Sequence, residues 1–398
     1  MSDRQPDQQG PVRRALGPLA EFLHDEAAGG VVLLAAAVVA LVWANTPARD
    51  AYDTLWATDL KLGVGSAAIE EDLRHWVNDG LMALFFFVVG LEIKRELAVG
   101  ELSDRRAATL PALAAVGGAA TPALIFTLIA AGSDAAAGWA IPMATDIAFA
   151  VGVLALLGDR VSAGLKLLVL AIAVVDDIIA IAVIAVFYSD AIAVGWLAAV
   201  LVLLVLAYAM QRAGVTRISP YVPVGIAVWV ATLESGIHAT IAGVALGLLT
   251  PAGLVGGRAV LEELEHRVHP LSAFVAVPLF ALANAGVYLG GGALGDAASG
   301  RVAWAIAIGL VAGKLAGIAA SVFGGVRVRL GTLPADVGRG AVWGAAALGG
   351  IGFTVSLFIA GLAFDDPRLQ DQAKVGIFAG SIVSGALGAT LLARGRES

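Results

Sequence analysis

Apolar stretches alternate with short polar loops along the whole chain, and their lengths suit a lipid bilayer. A helix needs about 20 mostly apolar residues to cross the hydrocarbon core, and twelve stretches meet or approach that length. They lie at about 28–46, 79–93, 108–132, 138–157, 164–188, 191–211, 218–233, 236–250, 270–288, 302–324, 340–364 and 374–393. Three are short, namely 79–93, 218–233 and 236–250, and the last two are either separate helices or one longer element. The pattern predicts an all-α integral membrane protein with about twelve transmembrane helices.

Two of these stretches contain residues that interrupt helices. The segment WAIPMATDIAFAVG (139–152) carries Pro142 and Asp146, and ALGGIGFTVSLFIAG (347–361) carries three closely spaced glycines. Proline removes a backbone donor, and glycine loosens a helix. Such breaks are either ordinary kinks, which membrane helices tolerate, or the broken helices that form a transporter's binding site. Interrupted spans at corresponding positions of two halves favour the second interpretation.

Composition supports the membrane interpretation and excludes several other classes. The chain is 59% hydrophobic and 14% charged, with a mean hydropathy of +0.87, whereas soluble domains carry about 25% charged residues. The absence of cysteine excludes disulfides and thiolate metal sites. A net charge of −7 gives no electrostatic footprint for nucleic acid. We therefore expect no soluble domain and no nucleic-acid partner.

The distribution of lysine and arginine predicts the orientation in the membrane. With an even number of spans and both termini in the cytoplasm, eighteen of the 25 basic residues fall in inside segments and six in outside segments. That asymmetry obeys the positive-inside rule. We expect a cytoplasmic N-terminal segment (1–28), a single transmembrane domain (29–393) and a cytoplasmic tail (394–398). The first span lacks the pattern of a cleaved leader and is expected to be retained.

Four ionisable residues lie well within apolar spans: Asp146, Asp176, Asp177 and Lys314. Each costs roughly 2.5–3.5 kcal/mol to insert at a helix centre, so such residues indicate function. Adjacent helical residues point about 100° apart, so one member of the pair Asp176 and Asp177 can face water while the other faces a neighbouring helix. Carboxylates that are either protonated or cation-bound suit the exchange of protons for cations. The alternatives are a helix-end cap and a structural salt bridge.

The remaining buried groups suggest a cation site and a charge partner. Lys314 is expected to pair with one of the buried carboxylates, because pairing lowers the cost of desolvation; a purely structural pair is the alternative. Hard cations prefer oxygen ligands, and a helix break frees backbone carbonyls. Thr145, Asp146 and Asp177 are therefore candidate ligands of a dehydrated Na⁺.

These residues stand in segments that resemble the NhaA-type sodium/proton antiporters over nearly the whole chain. The matching segments are LMALFFFVVGLEIKREL (81–97), PMATDIAFAVGVLALLG (142–158), VVDDIIAIAVIA (174–185), SGIHATIAGV (235–244), LEHRVHP (264–270), PLFALANAGV (278–287), GK (313–314) and GIGFTVSLFIAGLAF (350–364). The resemblance implies inverted repeats and two broken helices that cross near the midplane. It also implies a bacterial inner-membrane protein that exports Na⁺ or Li⁺ in exchange for a larger number of protons, with higher activity at alkaline pH.

The resemblance also implies roles for individual residues. Asp177 becomes the principal cation and proton site, Asp176 its neighbour and a further Na⁺ ligand, and Lys314 the partner of Asp176. Thr145 and Asp146 stand at the helix crossing and complete the Na⁺ site. A pH sensor is implied for a second set, which comprises Glu92, Lys94, Arg95, Glu96, His238, Glu265, His266 and His269. Histidine titrates near physiological pH, so the role is chemically reasonable. The alternative for this set is a solvated charge cluster that only enforces orientation.

Three positions depart from the pattern of that family. Leu315 follows the lysine where a proline is usual, so we expect a less bent helix there. Ile178 and Ile179 follow the aspartate pair where a glycine is common, and Glu234 is an unexpected acid. These departures concern regulation, pH range and rate more than transport chemistry.

The sequence therefore predicts a secondary active Na⁺(Li⁺)/H⁺ antiporter that is not an enzyme and has no cofactor. The alternatives are an intramembrane aspartyl protease built on Asp146 and Asp177, an antiporter of K⁺ or an organic anion, and a channel. A protease needs neither a second adjacent aspartate nor a buried lysine, and a channel needs a filter motif that we do not find. We also expect a homodimer, with the polar segment 47–78 as a candidate contact.

Overall fold

The computed structural model describes residues 11–63, 68–189, 191–290 and 292–394. Within these ranges fifteen helices follow one another, each π turn being counted within its helix. They are α1 (Pro11–Ala44), α2 (Arg49–Trp56), α3 (Leu73–Ala98), α4 (Arg105–Ala130), α5 (Ile147–Leu157), α6 (Ala163–Phe187), α7 (Val194–Arg212), α8 (Tyr221–Glu234), α9 (Thr240–Leu249), α10 (Val260–Asn284), α11 (Ala293–Ser299), α12 (Arg301–Arg327), α13 (Arg339–Leu348), α14 (Phe353–Ala363) and α15 (Pro367–Arg394). A 3₁₀ segment (Asp134–Met143) precedes α5, and shorter 3₁₀ turns lie at Glu101–Ser103 and Gly158–Arg160. Two small antiparallel hairpins pair β1 (Asp59–Leu62) with β2 (Ile69–Asp72) and β3 (Leu254–Val255) with β4 (Arg258–Ala259).

Every predicted apolar stretch falls on a helix, but not all helices reach crossing length. Within the described residues, nine spans are long and apolar enough to cross a membrane, and the bent pair α13–α14 makes a tenth. The helices α8 and α9 are shorter, at roughly 21 and 15 Å. They form an antiparallel hairpin, because Gly225 lies against Leu246 across the turn at Ser235 and Gly236. The prediction of an all-α membrane protein is confirmed, whereas a count of twelve crossings stays a prediction.

Two predicted boundaries are wrong because polar residues continue the helices. The stretch 79–93 is no short span, since α3 starts at Leu73, and in its second turn Asn78 accepts a hydrogen bond from Asn284 Nδ2 at 2.7 Å. The stretch 270–288 is displaced, since α10 already starts at Val260 and ends at Asn284. Charged residues occupy its first turns, and a π turn follows its internal proline.

The two predicted helix breaks are present and contact each other. Residues 144–146 interrupt the span between the 3₁₀ segment and α5, and residues 349–352 separate α13 from α14 with a bend of 43°. Asp146 N donates to Ile351 O at 2.6 Å, and Ser356 Oγ donates to Ile141 O at 2.7 Å. The backbones approach so closely that a Cβ on Gly352 would lie 3.0 Å from Ala144 O. The breaks therefore cross directly.

The regions 105–187 and 301–394 share one order of elements, a long helix, an interrupted helix and a second long helix. Their first helices, α4 and α12, run antiparallel, because Leu110 lies against Gly325 and Pro122 lies against Gly313. A Cβ on Gly317 would lie 2.1 Å from Gly117 O, so small residues permit this close contact. Antiparallel first helices are what an inverted repeat requires.

Candidate functional site

The aspartate pair lies midway along α6, a helix of 25 residues whose first turn is capped by the Ser162 hydroxyl. Asp176 and Asp177 are 2% and 6% exposed. Because adjacent residues point about 100° apart on a helix, the two carboxylates have different surroundings. Asp176 faces α12, whereas Asp177 lines a cavity.

Lys314 connects Asp176 to both helix breaks. Its Nζ lies 2.7 Å from Asp176 Oδ2 and donates to Thr145 Oγ1 at 3.0 Å. Thr145 in turn donates to Gly349 O at 2.8 Å in the opposite break. Both members of the ion pair are almost fully buried, and burial strengthens such a network while making each unpaired group costly. The network therefore holds α6, α12 and the two breaks in one arrangement.

Asp146 occupies the point where two half-helices begin. Its Oδ1 accepts from Phe149 N at 3.1 Å in the first turn of α5. Its Oδ2 accepts from Thr354 N at 2.9 Å and from Thr354 Oγ1 at 2.5 Å in the first turn of α14. The N-terminus of a helix carries partial positive charge, so this one carboxylate stabilises both ends.

Thr354 is a site residue that sequence reasoning missed. It belongs to the segment GIGFTVSLFIAG, but only the glycines of that segment were considered. A hydroxyl residue directly after a helix break, matching Thr145 at the other break, was the signal that could have revealed it.

A cavity joins the predicted cation site to part of the predicted pH-sensing set. Its wall includes the polar residues Asp177, Asp146, Thr145, Thr354, Glu92, His269 and Ser272, together with apolar residues of α1, α3 and α10. Asp176 does not line it, since Lys314 holds that carboxylate on the other side of α6. The cavity thus connects Asp177 to the end of α3 where Glu92 lies.

Apart from the ring nitrogens of His269, the polar side chains on the cavity wall offer oxygen atoms, which a hard cation prefers as ligands. Asp177 accepts no hydrogen bond from any residue that the structure describes, so its carboxylate remains available to a cation or a proton. Within the same described residues, no three acidic, histidine or cysteine side chains are grouped as a resident metal site. The arrangement therefore suits transient cation binding by Asp177 with neighbouring hydroxyl and carbonyl oxygens.

Three of the other predicted pH-sensing residues, Arg95, Glu96 and Glu265, lie together but do not line the cavity. Arg95 forms a short hydrogen bond with Glu265 and lies 3.8 Å from Glu96, whose carboxylate accepts from Glu101 N at 3.0 Å. Glu96 and Glu265 are buried, Lys94 is half-buried and His266 is exposed. Only Glu92 and His269 share the cavity with Asp177.

His238 lies apart from that group. Its Nδ1 is 3.4 Å from Asp79 Oδ1, and its ring stacks on Phe358 of α14 at a centroid distance of 4.9 Å. Asp79 was missed as its partner, because it stood at the predicted start of an apolar stretch. This pair connects α3 to the half-helix whose first turn binds Asp146.

The positions that depart from the family pattern leave this geometry intact. Leu315 packs against the apolar cluster of α4 and α6, and α12 runs as one continuous span from Arg301 to Arg327. A π turn at Gly309–Gly313 directly precedes Lys314, and such turns often mark functional sites. Glu234 is exposed at the end of α8, away from the cavity.

An apolar helical bundle in which two interrupted helices cross beside buried carboxylates and a buried lysine defines a secondary transporter of the broken-helix class. The sequence model of the family described as Na+/H+ antiporter 1 matches residues 20–392. The chain belongs to this NhaA-type Na⁺/H⁺ antiporter family, as the segments quoted above predict.

Curated relatives agree along almost their full length. The chain is 46% identical over 381 residues to Na(+)/H(+) antiporter NhaA 2 of Erythrobacter litoralis, covering 96% of this chain and 94% of the relative. It is 47% identical over 385 residues to NhaA 1 of the same organism, with the same coverage. It is 46% identical over 371 residues to Na(+)/H(+) antiporter NhaA of Shewanella loihica, covering 92% of this chain and 94% of the relative.

Proposed function

We propose that the protein exports Na⁺ or Li⁺ in exchange for protons by alternating access at Asp177. The observation that carries this proposal is the division of the aspartate pair. Lys314 neutralises Asp176, while Asp177 lines the cavity and forms no ion pair with any basic side chain in the described part of the chain. A carboxylate in that setting binds one cation or one proton at a time.

Competition at Asp177 couples the two ions. In the state open to the cytoplasm, Asp177 and a second, partner group each lose a proton, and Na⁺ binds at Asp177 with oxygens from Thr145, Asp146 and the helix break. In the state open to the outside, protons return to both groups and displace the cation. Exchange is electrogenic because more protons enter than cations leave, so the proton gradient and the membrane voltage both drive sodium export. Sodium and pH homeostasis follow from this exchange.

The test uses purified protein in liposomes that hold an imposed pH gradient. Addition of Na⁺ or Li⁺ is expected to dissipate the gradient, and an imposed voltage is expected to change the rate. Asp177→Asn abolishes the response, whereas the exposed loop variant Asp159→Asn retains it. Exchange by Asp177→Asn contradicts the assignment, equal rates with K⁺ favour a different cation specificity, and voltage-independent exchange contradicts electrogenicity.

The protease alternative is less consistent with the geometry. A catalytic dyad needs two carboxylates that share a proton, but both oxygens of Asp146 accept hydrogen bonds from α5 and α14. We therefore keep the proposal that the chain is a transporter without catalytic activity.

We propose further that the protein is a homodimer in the bacterial inner membrane with both termini in the cytoplasm. Residues 1–10 and 395–398 lie outside the described part of the chain. The candidate contact 47–78 contains α2 and the hairpin β1–β2. Deletion of the hairpin, followed by mass measurement in detergent, tests this contact: a dimer that persists unchanged contradicts it.

A further inference from the structure

The two ends of α10 have different surroundings. Glu265 and His269 lie near its start, beside the end of the cavity where Glu92 is found. Asn284 ends the helix roughly 28 Å away, at 1.5 Å per residue. We call the region around Asn284 the closed end, because residues 285–289 and their partners cover it.

Residues 285–289 run as a non-helical strap fastened by α1 and α2. Tyr52 Oη lies 2.9 Å from Leu282 O and 3.0 Å from Ala283 O, at the last carbonyls of α10. Burial raises the pKa of Tyr52 to about 12, so its hydroxyl remains a donor. The Asn45 side chain donates to Val287 O and accepts from Leu289 N, both at 2.8 Å. The strap, α1, α2 and α10 are thus bound together.

Lys374 fastens this strap to the other half of the molecule. It lies on α15, which packs closely on α12 where Gly376 meets Ala303, and α12 carries Lys314. Lys374 Nζ donates to Gly286 O in the strap at 3.3 Å and lies 3.8 Å from Asp371 Oδ1. Its side chain is only 15% exposed.

Other charges surround the Lys374 ammonium at the closed end. Arg74 and Asp53 lie within electrostatic range of Lys374, and Arg49 lies within range of Asp371. These groups come from α2 and α3, so the charged cluster also spans the boundary between the strap side and α15. Burial costs the Lys374 ammonium its hydration, and the hydrogen bond to Gly286 O, which offsets part of that cost, exists only while the boundary is closed.

We propose that Lys374 is a positioning residue that latches the closed end. The proposal rests on alternating access, because a transporter open at one end must part the elements at the other end to release its cation. Parting α10 from α15 breaks the hydrogen bond between Lys374 Nζ and Gly286 O. Removal of the latch therefore shifts the population toward the state that opens at this end.

The test exploits the absence of native cysteine. A single reporter, Ile377→Cys, is placed at a fully buried position one turn from Lys374. Labelling of the detergent-purified full chain by a polar maleimide then measures opening. Lys374→Gln is expected to raise the labelling rate about tenfold, the effect of a modest population shift, and Lys374→Arg is expected to restore it.

Two control variants separate a latch from general loosening. Lys61→Gln removes a cation from the exposed pair with Glu70, which is 2.6 Å long, and should leave labelling unchanged. Tyr52→Phe removes the bond to the end of α10 without touching α15, so it should lower the Tm but not raise labelling. If Lys374→Gln cannot be purified, Lys374→Met carries the same expectation because it keeps the apolar stem.

Unchanged labelling in the Lys374 variants, or an equal rise in Lys61→Gln, overturns the latch. Transport supplies a second readout for the Lys374 variants. In liposomes with a single protein orientation, the KM should fall for Na⁺ added on the side of the closed end. It should rise for Na⁺ added on the side of the cavity. If the unmodified protein does not exchange Na⁺, the proposed function is overturned instead. Labelling does not depend on Na⁺ exchange, so it tests the latch separately from the proposed function.

Discussion

The ammonium of Lys314 lies 2.7 Å from a carboxylate oxygen of Asp176, and the two side chains are 1% and 2% exposed. They come from different halves of the fold, since Asp176 is on α6 and Lys314 is on α12. The same ammonium donates to Thr145 at the break before α5. One ion pair therefore couples the arrangement of both halves to the charge state beside Asp177.

Loss of either charge in this pair should destabilise the protein. Lys314→Met leaves Asp176 buried without its cation, and breaking one side of a buried pair costs about 3–5 kcal/mol. We expect a clearly lower Tm for Lys314→Met in detergent. The double variant with Asp176→Asn should recover part of that loss, because no uncompensated charge remains.

The exposed variant Lys61→Met is the matched control for this experiment and should leave the Tm unchanged. Strictly additive effects of the two buried substitutions would contradict an energetic coupling between Lys314 and Asp176.

Close packing between α4 and α12 should make Gly317 intolerant of a side chain. A Cβ there would lie 2.1 Å from Gly117 O, and backbone atoms cannot move aside cheaply. We expect Gly317→Ala to lower the stability by about 1–3 kcal/mol, as overpacking does. Gly324 on the same helix has open space, so Gly324→Ala should be neutral or slightly stabilising. Equal Tm values for the two variants would show that the helices do not pack this tightly.

The main elements of the site were predictable because burial of charge in an apolar span leaves a strong signal. Asp176 and Asp177 interrupt a long apolar run, and Pro142 with the glycines near 350 marks the two breaks. The physical reason is that lipid tolerates neither unpaired charge nor unsatisfied backbone without a compensating structure.

Partners brought together by tertiary structure were harder to predict. Thr354 looks like an ordinary helical residue until the crossing places its hydroxyl on Asp146. Asp79 was assigned to a helix boundary, because only the fold shows that His238 lies beside it. The start of α10 was misplaced because its charged residues find partners such as Arg95, which hydropathy does not register.

The Thr354 hydroxyl should tune cation binding through Asp146. Thr354→Val keeps the shape but removes a hydrogen bond to a charged group, which is worth about 1.5–3 kcal/mol. We expect the KM for Na⁺ in liposomes to rise about tenfold or more, with a much smaller change in maximal rate. Thr354→Ser keeps the hydroxyl and should stay close to the original protein. Identical behaviour of the valine and serine variants would show that methyl packing, not the hydroxyl, matters at this position.

If protons and Na⁺ compete at Asp177, the KM for Na⁺ on the side of the cavity should depend on pH in a specific way. When protons and Na⁺ exclude each other at one binding site, acidification raises the KM for Na⁺ by mass action and leaves the maximal rate unchanged. In the acidic range the KM for Na⁺ rises about tenfold per pH unit for one competing proton and about a hundredfold for two.

A regulatory sensor acts differently, because it changes the maximal rate as it titrates. Initial exchange rates over a matrix of pH and Na⁺ concentrations separate these behaviours. Glu92→Gln and His269→Gln alter two titratable groups that line the cavity besides Asp177 and Asp146. Both variants should leave the slope of log KM against pH intact if neither Glu92 nor His269 takes part in the competition. A different result would assign pH control to Glu92 or His269. In that case the maximal rate of the original protein falls on acidification, and the variant of the controlling residue keeps a constant maximal rate.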